Sequence, residues 1–176
     1  MTEMVEMYEE WYQKAKNSEG SGDYYQQREN HNQALEEYAE ALFYFGFSLG
    51  FLDKVTGEST VEEMKPVMLL SLATIVQKVI SSYVSLKEHK KAAVFAQKLE
   101  ETVRTLGKYR KYFDSDILNL YKKMLNFSET ANILKNTLRI DSSTGKTIAI
   151  GDSDPTFQKL SSEFIRCTNS PLCSLL

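Results

Sequence analysis

The stretch NHNQALEEYAEALFYFGFSLGFL, residues 30–52, limits the possible folds more than any other part of this sequence. Its apolar residues recur at three- and four-residue spacing and form the stripe Tyr38, Ala41, Phe45, Leu49 and Leu52. The opposite face is polar at Glu36 and Glu40 and then turns apolar. A helix that is apolar all round is covered on more than one side. We therefore expect this segment to be the central helix of an all-α bundle.

Three phenylalanines form the apolar part of that opposite face: Phe43, Phe47 and Phe51. In one explanation, later helices of the same chain cover both faces, as in an ordinary core. In the other, the rings form a partner or self-association surface, where aromatic residues are enriched. Gly46 and Gly50 allow another backbone to approach between the rings. We assign the candidate partner or dimer interface to six residues: Phe43, Tyr44, Gly46, Phe47, Gly50 and Phe51.

Apolar periodicity and breaker residues divide the rest of the chain into further helices. The pattern predicts a first helix over residues 3–17, which the run NSEGSGD ends, and a second over 23–53. The sequence TVEE predicts the start of a third helix, because Glu63 can cap back onto Thr60, with Pro66 as the alternative start. A fourth helix follows KEHKK, with the inward residues Ala92, Ala96, Leu99, Val103 and Leu106.

The last third of the chain contains two more capped helices. The run DSD at 114–116 caps a fifth helix over 116–138. Its inward residues are Ile117, Leu120, Tyr121, Met124, Ala131, Leu134 and Leu138. Residues 138–150 fit a short hairpin and an irregular loop equally well, and Asp154 caps a sixth helix that begins at Pro155.

These elements predict a single domain, residues 1–176, that is an all-α bundle of about six helices. It has a five-helix body over 3–138, a loop over 139–153, a short helix over 155–167 and a mobile tail over 168–176. Both cysteines, Cys167 and Cys173, lie near the end of the chain, which fits a reducing compartment better than a disulfide framework.

Composition argues against several classes of partner. The net charge of −3 and the pI near 5.5 provide no basic footprint for direct nucleic-acid binding. The run ALFYFGFSLGFL is too short to cross a bilayer, so we expect no membrane span. The acidic amphipathic N-terminus has no signal-peptide pattern.

The sequence contains no recognisable catalytic or metal-binding pattern. SSTGKT at 142–147 ends like a phosphate-binding loop, but Ile140 occupies the position of the first glycine. The two histidines and two cysteines do not have the paired spacing of a zinc site, and neither histidine follows a glutamate at the spacing of a di-metal carboxylate site. We therefore expect a non-enzymatic protein with no cofactor and no metal.

Two segments resemble helical interaction domains. NQALEEYAEAL is similar to the second helix of tetratricopeptide and microtubule-interacting-and-trafficking domains, and SYVSLKEHKKAAVFAQKLE resembles a second tetratricopeptide-like turn and helix. The resemblance implies a TPR-like bundle. It also implies one candidate function, an adaptor in a trafficking or autophagy complex that holds a short peptide or helix in a groove.

A longer resemblance is to the C-terminal homology domain of the AFF family, the scaffold proteins of transcription-elongation complexes. WYQKAK, the 30–52 segment, LLSLATIVQKVISSYVSLKEHKKAAVFAQKLEETV and LNLYKKMLNFSETANILKN are similar to its elements in order. The resemblance implies a nuclear protein–protein interaction module that forms a homodimer, or a heterodimer with a related scaffold. The adaptor alternative implies a monomer in the cytoplasm.

Overall fold

The computed structural model describes residues 2–175, apart from the side chains of residues 58 and 59. Within these residues the chain forms seven α-helices and one 3-10 turn, Arg110–Tyr112, and no strand. The helices are α1 (Thr2–Gln27), α2 (His31–Asp53), α3 (Glu58–Ser85), α4 (His89–Gly107), α5 (Ser115–Thr137), α6 (Ser142–Gly151) and α7 (Pro155–Thr168). The predicted all-α bundle is confirmed, with one helix more than expected.

Helices α1 and α2 pack as an antiparallel hairpin. Tyr12 of α1 lies against Phe45 of α2, with ring centroids 6.2 Å apart, whereas the later residue Gly22 lies against the earlier residue Tyr38. α4 packs on both α3 and α5, and α7 returns to pack on α2.

Helices α1 and α3 run side by side in the same direction, and polar contacts join them. The Tyr12 hydroxyl lies 3.4 Å from Oγ of Ser71, and Nε2 of Gln26 donates to Oγ of Ser82 at 2.9 Å. α5 also packs on α3. Helices α1, α3 and α5 therefore lie next to one another along one side of the bundle.

Three of the links between helices share one backbone device. Glu29, Lys87 and Arg139 have φ values of 60°, 60° and 55°, in the left-handed region that most residues avoid. After each of them, the next N–H donates at 2.9 Å to a carbonyl five positions back: Asn30 to Tyr25, Glu88 to Tyr83 and Ile140 to Lys135. Links α1–α2, α3–α4 and α5–α6 thus end their helices with the same hydrogen bond, without glycine.

α2 lies at the centre of the bundle, as its sequence predicts. It contacts α1, α3 and α7, and Tyr38, Phe45 and Leu49 are at most 1% exposed. The helix begins at His31 and not at residue 23, so its predicted start is wrong. Residues 23–27 belong to α1, and residues 28–30 link the two helices.

A partly buried ion cluster holds α1 against α3. Nζ of Lys78 lies 2.6 Å from Oε2 of Glu19 and 2.9 Å from Oδ2 of Asp23. The hydroxyl of Tyr38 donates to the other carboxylate oxygen of Asp23 at 2.8 Å. Burial alone would lower the pKa of the Lys78 ammonium, but its hydrogen bonds to the two carboxylates outweigh burial and raise that pKa. In α1 only Ala15, Glu19 and Gly22 are fully buried, so this cluster adds a polar attachment to the packing of Tyr8, Tyr12 and Tyr25 against the core.

Two further predicted boundaries in the first half of the chain are wrong. α1 does not end at residue 17 but continues through NSEGSGD to Gln27. A Cβ added to Gly22 would lie 2.4 Å from the ring of Tyr38, so this glycine allows close helix packing and does not break the helix. α3 begins at Glu58 after Gly57, and Thr60 lies inside it, so the predicted capping box does not mark its start.

The segment predicted as a hairpin or loop, residues 138–150, is mostly the helix α6. The carboxylate of Asp141 accepts the N–H of Thr144 at 2.8 Å and caps it, and Ile140 is buried beside it. SSTGKT is therefore helical, and a side chain of the chain itself occupies the helix start. The caps of the neighbouring helices are confirmed, with Asp114 accepting from Ile117 and Asp154 from Thr156.

The predicted mobile tail is packed onto the bundle. Leu172 and Cys173 are fully buried, and Nζ of Lys65 donates to Oγ of Ser174 at 2.8 Å. Cys167 is also fully buried, so neither thiol belongs to a mobile segment. The inward position predicted for Leu120 of α5 is wrong, because this side chain is 48% exposed.

One helix passes a membrane-span test by length and composition. Residues Thr60–Ser85 include an 18-residue window with a mean hydropathy of 1.6, and 61% of that window is buried inside the bundle. The core helix of a soluble protein passes the same test, so this feature alone gives weak support to a membrane span.

Candidate interaction surfaces

The first candidate surface, here the aromatic face, consists of five side chains from α1 and α2: Trp11, Phe43, Tyr44, Phe47 and Phe51. Trp11 contacts Phe47 and Tyr44, with ring centroids 4.6 and 5.7 Å apart. Phe47 in turn contacts Phe43 at 6.1 Å and Phe51 at 5.5 Å. The four predicted aromatic residues therefore form one continuous row. Trp11 of α1, which the sequence analysis did not assign to this surface, completes it.

Four cationic side chains lie over these rings. Lys14 Nζ lies 4.0 Å from the Trp11 centroid, and Lys54 Nζ lies 5.6 Å from that of Phe51. At the other end of the row, Lys159 lies 5.8 Å and Arg166 5.3 Å from the centroid of Phe43. Each contact of this kind is worth about 0.5–1 kcal/mol at an exposed site. Cations from α1, from α7 and from the residue after α2 thus lie over the rings at both ends of the row, and Lys159 and Arg166 are paired with Glu40 and Glu163.

The aromatic face has features of both explanations that its sequence left open, an ordinary core and a partner surface. Phe43, Phe47 and Phe51 are each partly buried, because α1 covers one edge and α7 the other. A cleft of about 360 Å³, lined by Phe47, Phe51 and Arg166, remains open beside them. The indole N–H of Trp11 is buried and has no hydrogen-bond partner among the described residues.

The two glycines of the predicted interface have different surroundings. A Cβ added at Gly46 would lie 3.2 Å from Sγ of Cys167, so α7 already occupies the space beside this glycine. A Cβ at Gly50 would meet nothing within 4 Å, and Gly50 is exposed in the open cleft. Only Gly50 therefore leaves room for a second molecule.

The second candidate surface, here called the α3–α5 groove, lies between helices α3 and α5. It has a volume of about 690 Å³, and its apolar lining is Ile80, Val84, Phe127, Ala131, Ile133 and Leu134. Ile133 is 67% exposed and Val84 44% exposed. His89, at the start of α4, is its one ionisable lining residue. The groove is therefore a mostly uncharged apolar surface that no described element covers.

Sequence analysis missed this groove because its two walls are about 50 residues apart in the chain. α5 was predicted with Ala131 and Leu134 inward, and Ile133 was not singled out. Ile133 is an apolar residue next to that stripe, but it forms part of a surface only because α3 packs beside α5.

Buried polar chemistry outside these surfaces does not form a reactive cluster. Among residues 2–175, no three His, Cys, Asp or Glu side chains are grouped as metal ligands would be. Burial raises the pKa of the Cys167 thiol and of the Cys173 thiol, which disfavours the reactive thiolate. Burial also lowers the pKa of the Lys98 ammonium, which lies 4.9 Å from the ring of Phe164.

Comparison with known proteins gives no further information on these surfaces: no family model, curated protein or solved structure matches the chain.

Proposed function

We propose that this chain is a non-enzymatic protein–protein interaction module that self-associates through the aromatic face. The observation that carries the proposal is the row of five contacting aromatic rings that remains partly exposed beside an open cleft at Gly50. Aromatic side chains are enriched at interface centres, and a monomer seldom leaves a large contiguous apolar patch exposed. The AFF resemblance supports the same function and adds the expectation of a nuclear transcription-elongation scaffold.

Gly50 offers the cleanest test of self-association. Gly50→Glu would place a charge in the cleft without meeting any described atom of its own chain within 4 Å of the new Cβ. Because an unpaired charge is costly in a desolvated contact, we expect the variant to remain folded and to shift from dimer to monomer in sedimentation velocity.

The matched control is Gly20→Glu, which introduces the same change at another exposed helical glycine with nothing within 4 Å. Gly20 lies on α1 away from the aromatic face, so we expect this variant to associate like the unchanged chain. A monomeric unchanged chain at all accessible concentrations would exclude self-association, and equal association of both variants would remove it from the aromatic face.

The α3–α5 groove favours a second candidate function, an adaptor that holds an amphipathic helix of a partner protein. The lining contains neither a carboxylate nor a lysine or arginine, so the buried face of the partner helix should also be uncharged. The groove lies between two α-helices, and such grooves accept apolar side chains at i, i+3, i+4 and i+7.

A labelled synthetic helix of about 18 residues, roughly 27 Å long, with leucines at that spacing tests the adaptor function by fluorescence anisotropy. Ile133→Asp should abolish binding, because it places a charge in the apolar groove. Leu120→Asp is the control on the same helix, since Leu120 is exposed but does not line the groove. Equal binding to both variants would contradict the adaptor function.

A further inference from the structure

A third cleft, here called the acidic cleft, lies where the starts of α2, α4 and α7 meet the end of α3. Its volume is about 240 Å³, and its lining contains the carboxylates of Glu36, Glu88 and Asp154 and one cation, Lys91. This volume is below the range of about 300–1,000 Å³ that is typical of sites for drug-sized ligands. The cleft therefore suits a group of the size of one side chain, and its charge favours a cationic group.

The cation that the chain itself places in the acidic cleft is already paired. Nζ of Lys91 lies 2.9 Å from Oδ2 of Asp154 and 3.9 Å from Oδ2 of Asp152. Glu36 and Glu88, by contrast, are exposed, and neither forms an ion pair with a described residue. Glu88 is the N-cap residue of α4, but its carboxylate makes no capping hydrogen bond. Two carboxylates of the cleft are thus left without a cation.

A buried hydroxyl at the same cleft also lacks a partner. Tyr83 lines the cleft and is 2% exposed, and its hydroxyl has no hydrogen-bond partner among the described residues. The rings of Phe95 and Phe157 hold the Tyr83 ring in place, with centroids 6.2 and 5.9 Å away. Burial raises the pKa of this hydroxyl, and nearby carboxylates, among them Asp154 and Glu88, raise it further. Because a buried polar group without a partner is unfavourable, a ligand that hydrogen-bonds this hydroxyl is favoured.

Another acidic cleft, of about 320 Å³, adjoins the first along α2 and shares Glu36 with it. It adds Glu40, which pairs with Lys159, and Glu37, which pairs with no described residue. Among the described residues, no lysine or arginine other than Lys91 and Lys159 lines either cleft. The two clefts together form an acidic trough whose own cations are both paired.

The arrangement of the unpaired oxygens favours a guanidinium over an ammonium. Glu36, Tyr83 and Glu88 belong to α2, to α3 and to the α3–α4 link, so one bound group has to reach oxygens from three elements. A guanidinium has five N–H donors and is more weakly hydrated than an ammonium. Leu35 and Leu86 also line the cleft and offer apolar contact to the methylene stem of an arginine.

We propose that the acidic cleft binds an arginine side chain from a basic segment of a partner protein, with Glu36 and Glu88 as its ion-pair partners and the Tyr83 hydroxyl as a further hydrogen-bond partner. A second arginine of the segment lies over the adjoining cleft. Glu36 and Glu40 are one helical turn apart, about 6 Å along α2, which is close to the roughly 7 Å between alternate residues of an extended peptide. No residue of the aromatic face or of the α3–α5 groove lines the acidic cleft, so this inference does not depend on the proposed function.

A labelled peptide of about ten residues, roughly 33 Å long when extended, tests the site by fluorescence anisotropy. It carries arginines at two alternate positions among alanine, glycine and serine. The double variant Glu36→Gln/Glu88→Gln should raise the dissociation constant of this peptide roughly tenfold or more, because two charge-assisted hydrogen bonds are lost. The same peptide with lysines in place of the arginines should bind the unchanged chain more weakly.

The matched control is the double variant Glu6→Gln/Glu129→Gln. It makes the same change in net charge at two exposed glutamates that line neither cleft. We expect its dissociation constant to stay within about twofold of the unchanged value, because distant surface charges are screened by salt. Equal weakening by the two double variants would overturn the site, since it would show attraction to the net charge alone.

Tyr83→Phe separates a role of the hydroxyl in binding from a role in the fold. Because the hydroxyl has no partner in the free chain, the variant should unfold at the same temperature as the unchanged chain or at a higher one. It should nevertheless bind the arginine peptide several-fold more weakly. A destabilised variant with unchanged affinity would contradict the assignment of this hydroxyl to the site.

Two further results would count against an arginine site. The unchanged chain might bind neither peptide, or it might bind the lysine peptide as tightly as the arginine peptide, and either result would overturn the proposal. Gly50→Glu should bind the arginine peptide like the unchanged chain, because Gly50 lines a different cleft. Loss of self-association and loss of arginine binding are therefore separate outcomes.

Discussion

The aromatic face and the α3–α5 groove are both apolar, but the chain treats them differently. The aromatic face is partly covered by α1 and α7 of its own chain, whereas no described element covers the groove. Changes in the aromatic face should therefore alter folding stability as well as association. Changes in the groove should alter binding alone. The apolar face that periodicity identifies within one helix is thus also a face on which neighbouring helices of the same chain pack.

The largest expected difference concerns Trp11. Trp11→Ala removes the ring that packs on Phe47 and Tyr44, and we expect the free energy of unfolding to fall by about 2–3 kcal/mol, because the site is only partly buried. Tyr24→Ala is the control on the same helix, since Tyr24 is 51% exposed. Urea denaturation measures both. Equal losses would show that the aromatic face is not an intramolecular contact of any weight.

Alkaline pH should loosen the aromatic face before the groove. The folded-state pKa values of Lys78 and Tyr38 are raised above their unfolded values, Tyr38 by burial and by its hydrogen bond to Asp23. Their stabilising contribution is therefore complete below a pH of about 10 and is lost as pH rises through the folded-state pKa values. Since this cluster joins α1 to α3, we expect a loss of about 1–2 kcal/mol as the pH rises from roughly 10 to roughly 11.

Hydrogen exchange of individual helices distinguishes this loosening from general unfolding. The amides of α1 should exchange faster at alkaline pH, after correction for the intrinsic rate, while those of α5 should not. Lys78→Met should be less stable at neutral pH and should show a smaller alkaline response. Parallel acceleration of α1 and α5 would contradict a local role of the cluster.

A smaller effect is expected from filling the open glycine. Gly50→Ala should raise the free energy of unfolding by about 0.5–1 kcal/mol, because alanine is the better helix former and nothing obstructs its Cβ. Gly46→Ala should gain less, since its Cβ would press on Cys167 Sγ at 3.2 Å. Thermal unfolding compares the two variants. A larger gain at Gly46 would contradict the position of α7 against α2.

The smallest stability effect should come from the groove. Ile133→Gln changes a side chain that is 67% exposed, so the free energy of unfolding should stay within about 0.5 kcal/mol of the unchanged value. Binding of the dye ANS should nevertheless decrease, because the groove loses exposed apolar area. A loss of stability comparable to that of Trp11→Ala would show that Ile133 is covered in solution.

The parts of the fold that sequence predicted are those governed by local chemistry. Asp114 and Asp154 cap their helices with their own carboxylates, and the apolar stripe of α2 fixes its central position. The failures are places where distant residues decide. NSEGSGD reads as a helix breaker until Tyr38 packs against Gly22 and Lys78 pairs with Glu19. No local pattern predicts those partners.

The candidate surfaces show the same limit. Periodicity identified Phe43, Phe47 and Phe51 as one apolar face, and the structure places them in one contacting row. Periodicity could not show that Trp11 and Arg166 cover the edges of this face, because neither α1 nor α7 has a sequence feature that specifies its neighbour. The groove was missed for the same physical reason, since it exists only between two separately encoded helices.

The thiols of Cys167 and Cys173 provide a way to measure how often α7 separates from the edge of the aromatic face. Both thiols are fully buried, and Sγ of Cys167 lies 3.4 Å from the carbonyl oxygen of Leu42 in α2. A water-soluble thiol reagent can react with them only after α7 and the segment behind it separate from α2. The labelling rate of the unmodified chain therefore reports how often that edge opens, without any introduced probe.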